Sequence, residues 1–134
     1  MITGSCLCGN IKFASDDNIS DASLCHCSIC RKSTGSAFAA YGGVALENFK
    51  WVQGKNQLKV FSATSLLTKY FCTNCGSTLA STHQSWPEYI YISLGCLDEH
   101  AAINLEYHQF VASKANWETI NDEIRQFDEW PEED

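Results

Sequence analysis

Seven of the eight cysteines fall into three tight groups, and this spacing limits what the chain can fold into more than any other feature. The groups are Cys6-Leu7-Cys8-Gly9, Cys25-His26-Cys27-Ser28-Ile29-Cys30 and Cys72-Thr73-Asn74-Cys75-Gly76. In an extended strand residues i and i+2 share a face, so Cys6 and Cys8 can hold one ion without bending the chain. Two residues between Cys72 and Cys75 suit a knuckle turn, and Gly9 and Gly76 permit the positive φ that brings backbone N–H groups toward sulfur. A redox reading of the knuckle pair needs a strand and long helix around it, and that context is missing. The three groups therefore predict metal ligands in a reducing environment rather than disulfides.

A structural zinc takes four ligands and is closed, whereas a catalytic zinc keeps one position open. The simplest partition puts Cys6, Cys8, Cys72 and Cys75 in a closed four-sulfur site, leaving Cys25, Cys27 and Cys30 as a three-sulfur site, two zinc ions in all. Partitions that place Cys25 or Cys27 with the knuckle also satisfy the spacing. So does a second structural zinc completed by His26 or Cys96. In an extended segment His26 alternates away from its cysteine neighbours, and Cys96 reads as a small buried residue. His83, His100 and His108 show no ligand spacing.

The remaining sequence predicts a mainly β chain. Segments 2–8, 10–14, 37–44, 49–53, 58–62, 67–72, 77–81, 89–94 and 104–111 are rich in β-branched and aromatic residues and are separated by turn signals. Helical signals are confined to single turns at 28–32 and 121–127. The expectation is one domain over 1–134, built of small antiparallel sheets with short helical turns and stapled by zinc. The longest apolar stretch, 37–46, is ten residues, about half a membrane-spanning helix, so no membrane partner is expected. The first residues lack the basic and apolar regions of a signal peptide, which predicts a cytoplasmic protein. Net charge is −7, and the 118–134 tail holds eight acids against Arg125, while the rest of the chain balances eight acids with eight bases. That distribution argues against nucleic acid as a partner and makes the tail a solvated end.

Three motifs, Gly4-Ser5-Cys6-Leu7-Cys8-Gly9, Cys25-His26-Cys27-Ser28-Ile29-Cys30-Arg31-Lys32 and Phe71-Cys72-Thr73-Asn74-Cys75-Gly76-Ser77, together resemble the GFA family of glutathione-dependent formaldehyde-activating and centromere-protein-V-like proteins. The later segments Phe110-Val111-Ala112-Ser113-Lys114-Ala115-Asn116-Trp117 and Gln126-Phe127-Asp128-Glu129-Trp130-Pro131 are similar to that family too. The resemblance implies an Mss-four-like β fold with two zinc sites: Cys6, Cys8, Cys72 and Cys75 structural, and Cys25, Cys27 and Cys30 at the active site. It implies a carbon–sulfur lyase of the S-(hydroxymethyl)glutathione synthase type, which joins or splits a small thiol such as glutathione and an aldehyde such as formaldehyde. A thiolate-rich zinc is soft and suits binding another sulfur more than activating water.

Glutathione carries two carboxylates and one ammonium, so its site should offer cations. Arg31 and Lys32, directly after Cys30, are the candidates, with Lys69 and Lys114 behind them. Tyr41, Tyr70 and Phe38 are candidates for a pocket wall, set against a plain role in the core. The alternative function is a non-catalytic, zinc-stabilised protein-binding module, for which Arg31-Lys32 and the acidic tail are the contact surfaces. The oligomeric state is not encoded in any feature of the sequence.

Overall fold

A computed structural model describes residues 1–99 and 101–131. His100 and the last three acids of the tail lie outside the described residues. The fold is mainly β, as the sequence predicts. Its strands are β1 (Ile2–Ser5), β2 (Lys12–Ser15), β3 (Ser20–Cys25), β4 (Ala39–Ala45), β5 (Phe49–Gln53), β6 (Leu58–Ser62), β7 (Leu67–Cys72), β8 (Thr78–His83), β9 (Tyr89–Ser93), β10 (Tyr107–Gln109) and β11 (Arg125–Gln126). A single α-helix among the described residues, α1 (Ser28–Thr34), follows the second cysteine group.

The strands form a three-stranded sheet, β1-β2-β5, and an eight-stranded sheet, β11-β10-β3-β4-β9-β8-β7-β6. Antiparallel hairpins build most of both, but β10 runs parallel to β3 and to β11. The main core holds Ile11 and Phe13 from the small sheet's side with Val44, Leu79, Ile90 and Ile92 from the large sheet. Phe13 stacks on Phe49 at 5.5 Å, and Trp51 meets Tyr70 at 6.0 Å. Cys6 and Cys72 belong to this same core, so the first cysteine site sits at the core's edge. A smaller cluster of Cys25, Cys30, Ala39 and Tyr41 marks the second.

Three local departures from the sequence reading matter for the site. Strand β3 was not among the predicted segments. Its residues Ser-Asp-Ala-Ser-Leu-Cys lack β-branched side chains, yet Ala22, Ser23, Leu24 and Cys25 are all buried, because β3 lies between β4 and β10 and small side chains fill both faces. The tail, expected as a solvated end with a helical turn over 121–127, instead adds β11 at Arg125–Gln126 to the sheet edge and docks residues 127–129 on residues 110–112. The Phe127 N–H donates to the His108 carbonyl at 2.9 Å, and Asp122 caps the Ile124 N–H at 3.0 Å, so pairing with β10 overrides the local helical tendency. The strand predicted over 104–111 is regular only at Tyr107–Gln109. Beyond it Phe110 takes φ 56, and the chain turns into a single 3-10 turn at Val111–Ser113.

Candidate metal centres and the cavity beside them

The first centre forms where two turns meet. The turn after β1 carries Cys6 and Cys8, and the knuckle after β7 carries Cys72 and Cys75. Gly9 and Gly76 both take φ of 79. The positive φ is the one the sequence predicts, but their N–H groups close the turns onto the carbonyls of Cys6 at 3.0 Å and Cys72 at 2.8 Å rather than onto sulfur. All four sulfurs lie within 4.8 Å of one another, with Cys6–Cys8 at 3.5 Å and Cys8–Cys72 at 3.9 Å. A tetrahedral zinc with Zn–S of about 2.3 Å sets its sulfurs about 3.8 Å apart, so the donor set fits a closed tetrahedral ion. The Ile11 N–H donates to Cys6 Sγ at 3.3 Å. Bonds from the Ser77 hydroxyl and backbone pull the Cys75 thiol down to about 5. These are donors that favour thiolates.

The second centre is built by the end of β3 and the start of α1. Cys25 closes β3, Cys27 is the N-cap of α1, and Cys30 sits in its first turn. Cys27 Sγ accepts from the Cys30 N–H at 3.3 Å, so the helix start orients one ligand while capping itself. The three sulfurs lie within 4.8 Å of one another. Hydrogen bonds from Cys25 and Cys30, with backbone N–H groups, hold the Cys27 thiol down at about 2. Cys25, donating to its neighbours, is pushed up. Both clusters are thus able to hold a metal ion, in the partition the simplest reading predicts. Cys96 joins neither among the described residues. Its Sγ donates to the Thr78 carbonyl at 3.5 Å and it packs against the core.

His26 points away from the three sulfurs. Its Nε2 lies 2.8 Å from His108 Nδ1, and His108 Nε2 lies 3.0 Å from the Asp122 carboxylate. This chain ties the cysteine loop to β10 and to the segment leading into β11. Burial, helped by the neighbouring His108, keeps the His26 pKa below its ordinary value.

Beside the second centre lies a cavity of about 990 Å³. Cys25, Cys27 and Cys30 line it, whereas Cys6, Cys8, Cys72 and Cys75 do not. Of the cations named from sequence, Lys69 lines this cavity, while Arg31, Lys32 and Lys114 do not. Arg31 instead donates through Nε to the His26 carbonyl at 3.4 Å, and the Lys114 ammonium is bound to the backbone carbonyls of Ala115 and Glu118. Among the aromatic candidates Tyr41 lines the cavity. Tyr70 packs on Trp51, and Phe38 lies 5.3 Å from His26.

Lys69 is the unusual member of this wall, only 4% exposed. Its Nζ donates to the Tyr41 hydroxyl at 2.5 Å and lies 3.7 Å from Cys30 Sγ. Burial works against its charge, but Tyr41 and Cys30 outweigh burial and carry its pKa above the ordinary lysine value. The sequence signal was a lysine at an inward position of β7, in register with Ser81 of β8. Asp21, Trp86, Phe110 and Trp130 also line the cavity, and none is a site candidate from sequence, because distant segments bring them together.

Comparison with known proteins agrees with this architecture. The family model for the glutathione-dependent formaldehyde-activating enzyme matches residues 1–113. A Halomonas elongata protein named "Putative glutathione-dependent formaldehyde-activating enzyme" is 27% identical over 142 residues, spanning 99% of this chain and 90% of that protein. A Schizosaccharomyces pombe protein named as an uncharacterized lyase is 30% identical over 76 residues, covering 57% of this chain and 53% of that one. A Rhodobacter sphaeroides protein solved as a structural-genomics target shares the fold, with a TM-score of 0.62 and 24% identity over 76% of this chain and 90% of its own. With the cysteine groups, the two-sheet fold and a family match over most of its length, the chain belongs to the GFA family, the family of the glutathione-dependent formaldehyde-activating enzymes.

Proposed function

We propose that this chain is a zinc-dependent carbon–sulfur lyase that joins and splits a small thiol, of the glutathione kind, and an aldehyde. The observation that carries the reading is the asymmetry of the two centres. The four-cysteine set is closed at the core's edge, while the three-cysteine set lines a cavity large enough for a small-molecule adduct. We assign Cys6, Cys8, Cys72 and Cys75 to a structural zinc, and Cys25, Cys27 and Cys30 to the substrate-facing zinc. Zinc held there supplies a soft Lewis-acid position that favours the ionised form of a thiol at neutral pH.

The chain's own residues do the rest. Three thiolates around a divalent ion leave one net negative charge, and the buried Lys69 ammonium beside Cys30 offsets it. The Tyr41 hydroxyl accepts from Lys69 and keeps its proton for an acceptor in the cavity, suiting it to the oxygen of the carbonyl or its adduct. Asp21 and Glu106, on the cavity wall, suit the ammonium of a glutathione-like thiol. A free thiol of pKa about 8.5 is roughly 3% ionised at pH 7, so ionisation alone adds at most about 30-fold. Holding thiol and carbonyl together carries the remainder. Arg31 and Lys32, on α1 outside the cavity wall, act at most at its rim. Thiol ligands must stay reduced, which suits the cytoplasm.

A protein-binding module needs no such cavity at a metal centre, and the cavity favours the enzyme. Exchange spectroscopy of formaldehyde and glutathione, with and without the zinc-loaded protein, tests this. The expected result is faster exchange that Cys27→Ser abolishes in a folded chain. Exchange that the wild-type protein leaves unchanged with formaldehyde and with larger aldehydes alike removes the lyase reading.

A further inference from the structure

The cysteine end of the cavity opens into an aromatic corner that a one-carbon aldehyde does not fill. Phe110 packs against the Cys25–Cys30 cluster, and its ring meets Trp130 edge-on at 4.8 Å. Trp130 lies 5.3 Å from Trp86, and His83 lies 4.8 Å from Trp86 and 5.6 Å from Trp130. All four rings line the cavity. The two indoles are 38% and 48% exposed, so much of their apolar area is left without protein cover.

This corner is held in place. The N–H groups of Phe110 and Val111 donate to the carbonyls of Glu129 and Phe127, each at 3.0 Å, and the Ala112 N–H donates to Asp128 at 3.3 Å. The acids of this segment face solvent while the backbone is strapped to the chain beyond β10, which fixes Trp130 over Phe110. The polar lining, with Arg125 to face a carboxylate and Asp21 and Glu106 to face an ammonium, suits a charged thiol and leaves the aromatic corner without a ligand group. The cavity volume of 990 Å³ stands at the top of the range of about 300–1,000 Å³ for small-molecule sites.

We propose that the carbonyl partner at this site is an aldehyde with an aromatic or bulky apolar substituent, which lies against Phe110, Trp86 and Trp130 while its carbonyl carbon meets the thiol at the cysteines. The inference rests on the lyase reading above and names the substrate class of that same site. The thiol adds across the carbonyl: a C–S bond forms, the C=O π bond opens, and the thiol's proton ends on the oxygen as a hydroxyl. The reverse reaction returns thiol and aldehyde, and nothing is oxidised or reduced. The apolar substituent gains from leaving water and from edge and face contacts with the indoles.

The test holds glutathione constant and compares phenylacetaldehyde with formaldehyde by exchange spectroscopy, using the zinc-loaded full chain. The account expects kcat/KM to favour phenylacetaldehyde by at least about tenfold, a modest return for a filled apolar pocket. Trp86→Ala and Trp130→Ala, made separately at partly exposed positions, should each bring that ratio toward one. Binding offers a readout free of turnover: the stable thioether S-(2-phenylethyl)glutathione should perturb tryptophan fluorescence at lower concentration than S-methylglutathione. Acceleration with formaldehyde alone, or equal affinity for the two thioethers, overturns this inference and leaves the lyase reading standing. Acceleration with neither aldehyde removes the lyase reading, and this inference with it.

Discussion

Lys69 places its ammonium 3.7 Å from the sulfur of Cys30, on the cavity wall that the three cysteines and Tyr41 share. A buried charge needs a partner, and here the partners are the Tyr41 hydroxyl and the sulfur of Cys30, one of three cysteines that could hold a metal ion. The pairing joins β7 to α1 and makes the strand that ends in one cysteine site, at Cys72, a wall of the other.

Removing that charge should weaken the second centre selectively. Lys69→Met should lower metal affinity at the three-cysteine set by about 10–100-fold, the usual cost of losing a group that supports metal ligands. The four-cysteine set should keep its ion. Chelator competition monitored by zinc release checks this, with one ion leaving earlier in the variant than in the wild type.

The two centres should also differ in what they do for the fold. A structural zinc contributes about 10–16 kcal/mol of apparent binding energy, as much as or more than the whole stability of a domain at about 5–15 kcal/mol. Cys72 is fully buried in the main core, so Cys72→Ser should abolish cooperative thermal unfolding. Cys27→Ser should retain a cooperative transition, measured by circular dichroism, while losing exchange activity.

These roles were legible in the sequence to an uneven degree. The cysteine spacing predicts the clusters because it is local geometry, but their partition is only the simplest of several it allows, and Cys6 and Cys8 meet through a turn after Ser5 rather than on one strand face. The period-two segments predict most strands for the same reason. What stayed hidden depends on distant segments. Strand β3 is built of small residues whose burial is set by β4 and β10, and β11 forms only because β10 offers an edge. Phe110, Trp86 and Trp130 lie far apart in sequence and share a wall only after the tail docks. Arg31 and Lys32 follow Cys30 in sequence, yet the turn of α1 carries them off the cavity wall, and Lys69, thirty-nine residues on, stands next to Cys30 instead.

The tie between His108 and Asp122 should leave a mark on acid stability. Desolvation pushes the Asp122 carboxyl up, but the bonds from His108 and the Ile124 N–H outweigh it and hold the pKa below the ordinary value. A carboxyl depressed in the folded state stabilises above its unfolded pKa, about 3.9, and loses that contribution as pH falls through the folded value. Wild type should therefore be more stable than Asp122→Asn at pH 7, with the gap closing below about pH 4. Urea unfolding of the two proteins across this range reads the difference. A gap that widens on acidification would contradict the assignment.

The central claim is that the three-cysteine centre has room for a visiting sulfur. Zinc-edge X-ray absorption of the fully loaded protein measures it most directly. The account predicts seven sulfur ligands shared by two ions without substrate, rising to eight when glutathione is added, with the new sulfur lost in Cys27→Ser or on displacing the labile ion. Sulfur coordination unchanged by saturating glutathione would contradict the claim.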